Sequence, residues 1–238
     1  VQVATESQYV LAYDVFPNPT DTRTLIPFLN HIEEKCFELP EFIVADAGYG
    51  SEQNYDDIIE NRNRTPLITY NQYRQEQKKK HKKNAFHVDN WDYNEEEDFF
   101  LCPNGRKVQF SHHSQRKDKY GFIRQFKVYE CEDCSSCPFR DMCTKAKEGK
   151  GRKVYINKKW ESQKEYVRAK LSDKKTAEIY KRRKVDVEPV FGSLKANLGF
   201  TRMSVRGKKK VKNELGFAFM AVNLRKYTAM NIKAESAV

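Results

Sequence analysis

One strand–helix–strand segment constrains the fold of this chain most. The apolar run at residues 42–45 ends at Asp46 and a turn that contains two glycines. Ser51 then precedes an amphipathic segment at residues 52–61, and a second apolar run follows at residues 66–70. Two strands joined by a crossover helix lie parallel, and parallel sheets are covered by helices on both faces. The sequence therefore predicts an α/β fold, with Ser51 as the N-cap of the crossover helix.

Further elements are predicted on both sides of this segment. Residues 1–5 and 9–16 alternate between apolar and polar side chains, which indicates a β-hairpin. Apolar residues recur at helical spacing elsewhere, which predicts helices that flank the sheet at residues 22–35, 159–171, 173–198 and 213–230. In the last of these helices, four apolar residues are expected to pack in the core, namely Leu215, Phe219, Val222 and Leu224.

The composition changes abruptly at Asn71. The lysine-rich run between Arg74 and Lys83 is too polar to pack, so it is predicted to be a solvated arm that serves either solubility or DNA contact. Residues 71–157 contain short aromatic strands around a group of cysteines, and they are predicted to form a small inserted subdomain. The main domain is then predicted to consist of residues 1–70 and 158–238.

The charge of the chain restricts its partners. Its 238 residues carry a formal net charge of +11, which favours a polyanionic partner such as nucleic acid. The chain has no apolar run of about 18 residues and no signal-peptide pattern, so a membrane protein is not expected. The clustered cysteines suit a reducing compartment, which predicts a cytoplasmic location. The chain opens in strand-like sequence without an initiator methionine, so a fragment is expected.

Asp46 is the first candidate for chemistry. It follows a predicted buried strand, and functional groups of α/β sheets collect beyond the carboxyl ends of parallel strands. Gly48 and Gly50 follow it, and their missing side chains allow backbone or substrate to approach closely. An ordinary turn aspartate would fit the same sequence, so the local sequence leaves both roles open.

Glu188 is the second candidate, in the cationic segment VDVEPVFGSLKANLGFTRMSVRG. In a regular helix, Glu188, Gly192 and Lys195 share one face, because spacings of four and seven residues align side chains. Such a face would place a carboxylate for a metal ion beside a cation for phosphate. The alternative is an exposed Glu188 that pairs weakly with Lys184. Asp186 is a rival carboxylate on a different helical face.

Two carboxylates in such settings suit phosphodiester chemistry. Cleavage needs an activated water or 3′-hydroxyl and a stabilised leaving oxygen, and two Mg²⁺ ions roughly 3.5–4 Å apart supply both. Asp and Glu provide the hard oxygen ligands that Mg²⁺ prefers. Asp46 and Glu188 are therefore the predicted catalytic and Mg²⁺-binding residues, although such sites usually contain at least three carboxylates.

Three segments of the chain carry a family resemblance. VADAGYGS, VEPVFGSLKANLGFTRMSVRG and ELGFAFMAVNLRKY occur in this order and resemble the DDE transposases of bacterial insertion sequences, in the branch with a cysteine-bearing insertion. The resemblance covers essentially the whole chain. It implies a ribonuclease H-like fold with a mixed sheet flanked by helices, dependence on Mg²⁺ or Mn²⁺, and cleavage and strand transfer of insertion-sequence DNA ends. It also implies double-stranded DNA as the partner, with a homodimer as one possible assembly.

The resemblance assigns roles to individual residues. Asp46 corresponds to the second Asp of the family and Glu188 to its Glu, and Lys195 corresponds to a lysine that contacts DNA. Tyr180 and Arg183 each stand one residue earlier than the family's Tyr and Arg, so their roles carry over only weakly.

The first Asp of the family precedes the opening hairpin and has no counterpart in this chain. Asp14 and Asp21 lie too late in the sequence to match it. The resemblance therefore implies the C-terminal part of a catalytic domain, which would be active only when the missing N-terminal Asp is supplied.

The cysteines indicate a second metal. Four of them have the spacing C-x2-C-x2-C-x5-C, which suits tetrahedral coordination of Zn²⁺. The candidates are Cys102, Cys131, Cys134, Cys137 and Cys143, and either the last four or Cys102 with three of them would complete the site. An iron–sulfur cluster and free, packed thiols are the alternatives. Cys36 is predicted to be a lone core residue, and the five histidines show no metal-ligand spacing.

Basic residues around and beyond Glu188 are predicted to contact DNA phosphates. They are Arg183, Lys195, Arg202, Arg206, Lys208, Lys209 and Lys210. Two alternatives to an active transposase stay open. One is a catalytically inactive DNA-binding remnant, and the other is a zinc-ribbon protein that binds nucleic acid. The zinc-ribbon alternative predicts that Asp46 and Glu188 lie far apart.

Overall fold

The structure is a computed structural model that describes residues 1–235. These residues form two compact units. Unit 1 contains residues 1–70 and the chain from Tyr166 onward, and unit 2 contains residues 71–165. The sequence placed the second boundary at residues 157–158, whereas in the structure it falls within a helix. The assignment of the two units to a transposase domain and its insertion stays a prediction.

The chain is a mixed α/β protein with nine strands among the described residues. In chain order they are β1 Gln2–Glu6, β2 Tyr9–Asp14, β3 Phe42–Ala45, β4 Thr65–Ile68, β5 Asp92–Asn94, β6 Phe99–Leu101, β7 Lys107–Lys117, β8 Ile123–Cys131 and β9 Lys153–Ile156.

The α-helices vary from single turns to a long C-terminal helix. They are α1 Leu25–Lys35, α2 Glu52–Asp56, α3 Tyr73–Glu76, α4 Lys79–Lys82, α5 Arg140–Cys143, α6 Lys158–Ser172, α7 Lys174–Gly192 and α8 Lys208–Glu235. Two π-helical turns, Asp57–Asn61 and Ser193–Asn197, extend α2 and α7, and short 3-10 turns occur at Asp21–Arg23, Ala47–Tyr49 and Val88–Asn90.

Unit 1 contains two pairs of strands. β1 and β2 form an antiparallel hairpin, and β3 pairs with β4 in parallel, with Val44 opposite Leu67. The Ser51 hydroxyl accepts a hydrogen bond from the Asn54 backbone amide and caps α2. The predicted hairpin, the parallel pair and the capped crossover helix are therefore confirmed.

Helices bury their apolar faces against these strands. The face of α1 that contains Leu25, Phe28, Leu29 and Ile32 is buried, as its spacing predicts. In α8, Leu215, Phe219 and Val222 are buried with Val10, Val190 and Leu194. Leu224 is 58% exposed, so its predicted core position is wrong.

Unit 2 is built on a five-stranded antiparallel sheet in the order β5-β6-β7-β8-β9. A buried cluster that contains Trp91, Val108, Tyr129 and Val154 forms its core, together with Cys131 and Cys134. The indole of Trp91 donates to the backbone oxygen of Ala85 at 2.7 Å, which satisfies its polar atom inside the apolar cluster.

Three local expectations need correction or qualification. Cys36 is exposed rather than in the core. Most of the lysine-rich run is exposed, as predicted for a solvated arm, but it contains the single-turn helices α3 and α4. α7 continues through Pro189 to Gly192 and then widens into a π-helical turn, so the seven-residue alignment of Glu188 with Lys195 in a regular α-helix does not apply.

Within residues 1–235, no helix has a stretch with the length and hydropathy of a membrane span.

Candidate active site

Asp46 occupies the first residue after β3, at the carboxyl end of the parallel pair. Its backbone is extended, and its Oδ1 accepts a hydrogen bond of 2.9 Å from the amide of Gly48, so it caps the 3-10 turn that follows. The side chain is exposed to solvent. A carboxylate in this position has free oxygen lone pairs that face outward, as a metal ligand requires.

Asp21 lies against the same turn. A Cβ atom on Gly48 would stand 3.0 Å from Asp46 Oδ1 and 3.8 Å from Asp21 Oδ2, so the two carboxylates flank one glycine. Asp21 Oδ1 also accepts a hydrogen bond of 3.0 Å from the side-chain amide of Gln2. Asp21 does not match the first Asp of the family in sequence position, and only the tertiary fold brings it to Asp46.

Gln2 and Tyr49 form the inner wall of this pair of carboxylates. Gln2 is 6% exposed, and its side-chain oxygen accepts a hydrogen bond from the Tyr49 hydroxyl. Burial raises the pKa of Tyr49, and the charges of Asp21 and Asp46 raise it further. Tyr49 therefore stays protonated and acts as a hydrogen-bond donor beside the carboxylates.

Asn54 ties the two acidic loops together. Its side-chain amide, which is almost fully buried, donates to the backbone oxygen of Thr22 at 2.9 Å and to that of Tyr49 at 2.7 Å. The Thr22 hydroxyl donates to the Gly48 oxygen at 2.7 Å. These bonds fix the loop that carries Asp21 against the turn that carries Asp46.

Glu188 lies on α7, which packs against β1, β2 and β3. Its side chain is exposed. A neighbouring cavity is lined by Ala45 and Tyr49 and by the α7 residues Arg183 and Asp186, but not by Glu188. The rival carboxylate Asp186 is thus the one that shares a cavity with the neighbours of Asp46. The pairing of Glu188 with Asp46 stays a prediction.

The same cavity separates the two strand pairs of unit 1. It has a volume of about 280 Å³ and is lined by every residue of β1 and β3, with apolar residues of α1 below them. Among the described residues, β1 pairs only with β2 and β3 pairs only with β4. Each of these strands therefore has one unpaired edge, and both strands line the cavity.

The predicted DNA-binding residues lie on the surface, with one exception. Lys195, Arg202, Arg206, Lys208, Lys209 and Lys210 are exposed, and the Lys208 ammonium stands 5.2 Å from the ring centroid of Phe16. Arg183 is half-buried, and its guanidinium lies 5.8 Å from the ring centroid of Tyr180. Lys195 belongs to the π-helical turn, and a Cβ on nearby Gly192 would meet open space.

Four of the five cysteines of unit 2 gather around one apolar cluster, and Cys137 is half-buried outside it. Cys131 and Cys134 are buried, and Cys102 and Cys143 pack against them. Burial raises the pKa of Cys131 to about 12, and its hydrogen bond with Cys134 adds to the rise. All six cysteines are free thiols. Among the described residues, no three cysteine sulfurs approach one another closely enough to form a ready metal site.

A different ligand group is preformed in unit 2. One ligand atom each of His81, His87 and Asp89 lie within 4.8 Å of one another. Asn90 holds the loop, because its side-chain amide donates to the oxygens of His81 and Asn84 at 2.8 and 3.0 Å. Sequence reasoning missed this group. The spacings of six and two residues gave no metal pattern, and only the loop geometry brings the three side chains together.

Comparison with known proteins adds to this geometry. A family profile described as a transposase DDE domain matches residues 101–228, which include Glu188, Lys195 and the cysteine run but not Asp46. The type II restriction enzyme CeqI of Rhodococcus hoagii is 44% identical to the chain over 80 residues, which are 34% of this chain and 26% of that enzyme. The chain thus spans about a quarter of this relative's length. No solved structure matches the chain.

Proposed function

Because the chain belongs to the transposase DDE domain family, we propose that it acts in DNA transposition, by cleaving insertion-sequence ends and joining them to target DNA. The family match over more than half of the chain carries the proposal. A ribonuclease H-like arrangement of unit 1 is part of it. The antiparallel hairpin, the parallel pair β3–β4 and the flanking helices support that arrangement.

Asp46 and Glu188 are the proposed metal ligands. Mg²⁺ or Mn²⁺ at this position would activate the attacking oxygen and stabilise charge on the phosphate. Asp46 fits this role because it is exposed at the carboxyl end of a parallel strand and its position is fixed by the Gly48 amide. Tyr49 and Gln2 orient the neighbouring Asp21 without neutralising either carboxylate.

The cavity between β1 and β3 supports the proposal that unit 1 is incomplete. Neighbouring strands in a sheet lie about 4.8 Å apart, and one added strand would satisfy the free edges of both β1 and β3. Such a strand would run past the neighbours of Asp46. We assign it to the segment that precedes the opening hairpin in the family and carries its first Asp.

Double-stranded DNA is the proposed partner. The seven basic residues at Arg183, Lys195 and between Arg202 and Lys210 would neutralise phosphates, and six of them are exposed.

A homodimer is the proposed assembly. Its support is a stripe of exposed apolar residues along α8, at alternating spacings of three and four residues, formed by Phe217, Met220, Leu224 and Tyr227.

Zn²⁺ bound by the cysteines is proposed for unit 2, with a structural role. The donor set supports it, because thiolates are the ligands that zinc prefers and four cysteines belong to one cluster. Free thiols persist in a reducing compartment, so the cytoplasm is the proposed location.

Metal analysis of the purified chain tests which residues bind the zinc. We expect the double variant Cys131→Ser/Cys134→Ser to lose zinc and His81→Ala/His87→Ala to retain it, and the reverse result would move the site to the histidines.

A metal-binding panel tests the carboxylates independently of activity. We expect Asp46→Asn and Glu188→Gln to weaken Mn²⁺ binding to the full chain in calorimetric titrations. Asp186→Asn is the matched control, because Asp186 lies two residues from Glu188 on the same helix and is expected to be neutral. If Asp186→Asn weakens Mn²⁺ binding and Glu188→Gln does not, the proposed metal ligand on α7 is Asp186 instead of Glu188.

Nicking of supercoiled plasmid tests the reaction. The chain is assayed with Mg²⁺, both by itself and joined to a segment that supplies the first Asp of the family, and we expect cleavage only in the joined form. Activity that survives both Asp46→Asn and Glu188→Gln would remove these residues from catalysis. DNA binding without any nicking in the joined form would favour the inactive remnant.

A further inference from the structure

The hairpin formed by β7 and β8 extends beyond the sheet of unit 2. β6 pairs with β7 only over residues 107–109, and β9 pairs with β8 only over residues 127–130. Residues 112–126 therefore form a two-stranded ribbon, in which each strand has only the other as a neighbour. We refer to these residues as the β7–β8 ribbon.

The turn at the end of the ribbon is well ordered by hydrogen bonds. Asp118 Oδ1 accepts from the backbone amides of Tyr120 and Phe122 at 2.8 and 3.1 Å. The Asp118 amide donates to the Phe122 oxygen at 2.9 Å, and Gly121 adopts a positive φ of 97° that favours glycine. The single carboxylate of the ribbon is thus engaged in its own turn.

The ribbon is strongly cationic. Its four basic residues are Arg116, Lys117, Lys119 and Arg124, against Asp118 as its one acidic residue. Lysine and arginine along the two free edges disfavour the addition of a further protein strand. The charge instead favours a polyanion.

The two faces of the ribbon differ. On one face, the guanidinium of Arg116 stacks 4.1 Å from the ring centroid of Tyr155 and 5.1 Å from that of Phe126, so this face is attached to the rest of unit 2. Cross-strand partners share a face in antiparallel pairs. The opposite face therefore contains the directly paired Gln115 and Gln125, and both side chains are exposed.

Exposed residues flank this glutamine pair. His113 and Lys117 lie two residues before and after Gln115 in β7, so they share its face. Within the ribbon, this face presents hydrogen-bonding groups and the exposed side chain of Ile123, which pairs with Lys117, and it contains no acidic side chain. Glutamine side chains form paired hydrogen bonds with adenine, and lysine binds guanine, in the major groove of DNA.

We propose that the β7–β8 ribbon enters the major groove of double-stranded DNA, with Gln115 and Gln125 toward the base edges and Lys117 and Lys119 on phosphates. The major groove, about 12 Å wide, admits a two-stranded ribbon, whereas that of double-stranded RNA is too narrow. The five residues from His113 to Lys117 span roughly 17 Å, which matches about five base pairs. The proposal rests on the proposed DNA partner and adds a base-reading element to it.

Selection from a pool of random duplexes tests base reading by the full chain. The wild type is expected to enrich a short sequence, and Gln115→Ala/Gln125→Ala is expected to lose preference at one or two positions by roughly ten-fold to a hundred-fold each. Gln109→Ala is the matched control. Gln109 is an exposed glutamine of the same strand, but it pairs with β6 inside the sheet, so its variant should enrich the wild-type sequence.

The salt dependence of binding to a fixed duplex tests the phosphate contacts. In Lys117→Gln/Lys119→Gln, the slope of log affinity against log salt is expected to fall by roughly 1 to 2, because each phosphate contact contributes about 0.9. These residues lie outside the buried cluster of unit 2, so the emission of Trp91 should be unchanged and serves as the check on folding.

The outcomes separate the two proposals. The ribbon proposal would be overturned if the chain binds duplex DNA but the glutamine variant selects the wild-type sequence and the lysine variant keeps the wild-type salt slope. This result would still support DNA as the partner. Tighter binding to RNA than to duplex DNA, or no binding to duplexes at all, would overturn both.

Discussion

The substitution Asn54→Ala tests whether the two acidic loops are held together as the structure shows. It removes the hydrogen bonds from the Asn54 side chain to the backbone oxygens of Thr22 and Tyr49, at 2.9 and 2.7 Å. Each such bond contributes about 0.5–1.5 kcal/mol, so two contribute roughly 1–3 kcal/mol. Asn54 is 2% exposed, and water does not readily replace the lost donors. The free energy of unfolding of unit 1 should therefore fall by about 1–3 kcal/mol.

Urea denaturation measures this change, and the chain offers an internal reference. Both tryptophans, Trp91 and Trp160, lie in unit 2, whereas α1, α7 and α8 lie in unit 1. Far-UV circular dichroism therefore follows mainly unit 1, and tryptophan emission follows unit 2. We expect the dichroism midpoint to shift while the emission midpoint stays in place.

Asn213→Ala is the matched control for this substitution. Asn213 is exposed on α8, where alanine has the higher helix propensity, so the control should be neutral or slightly stabilising. A loss below about 0.5 kcal/mol in Asn54→Ala would contradict the two bonds and the fixed position of Asp21 against the Asp46 turn. Weakened Mn²⁺ binding in a folded Asn54→Ala variant would link this connection to the proposed metal site.

Three further substitutions test other parts of the structure. In Gly50→Ala, the added Cβ would lie 2.3 Å from the Thr69 oxygen, so the free energy of unfolding measured with urea should fall by about 1–3 kcal/mol. In Gly192→Ala, the added Cβ meets open space, so the free energy of unfolding should rise by about 0.5–1 kcal/mol. Equal effects of the two substitutions would contradict this reasoning. Partial burial acts to raise the pKa of Asp98, but hydrogen bonds from lysine and tyrosine side chains outweigh it and hold that pKa well below its usual value. The stability advantage of the wild type over Asp98→Asn should therefore be present at pH 7 and disappear as pH falls below about 4, and a pH-independent difference would refute this reasoning. Arg140→Ala removes donors to four backbone oxygens and should lower the urea midpoint of tryptophan emission by the equivalent of about 3 kcal/mol, and an unchanged midpoint would exclude these bonds.

Local elements could be predicted from the sequence because their signals are local. The apolar spacing of α1 and the strand–helix–strand order around Asp46 each lie within about thirty residues, and both are found in the structure. The widened turn at Ser193–Asn197 could not be predicted, because a π-helical turn depends on how α7 docks onto the core. The exposure of Leu224 likewise depends on which face of α8 the neighbouring strands cover.

The candidate site was only partly predictable for the same reason. The position of Asp46 followed from the end of an apolar strand, which is a local signal. The approach of Asp21 depends on Asn54 and Gln2, which lie in different segments, and no spacing rule connects them. The grouping of His81 with His87 depends on a loop held by Asn90. Ligand sets of this kind arise from tertiary contacts.

The β7–β8 ribbon lacks the apolar–polar alternation of a strand that has one buried face. A strand with one buried face alternates between apolar and polar residues, and residues 112–117 do not, so the short aromatic strands predicted for this subdomain could not be placed here by periodicity. The structure pairs these residues with residues 123–128. One face contacts Tyr155 through Arg116 and Phe126, whereas Gln115 and Gln125 on the other face are exposed. An isolated hairpin is only marginally stable in water, so its order derives from the sheet that it continues, from the stacked Arg116 and from the Asp118 turn. Under the ribbon proposal, a negatively charged DNA groove would be the environment that satisfies the polar and cationic groups of this hairpin.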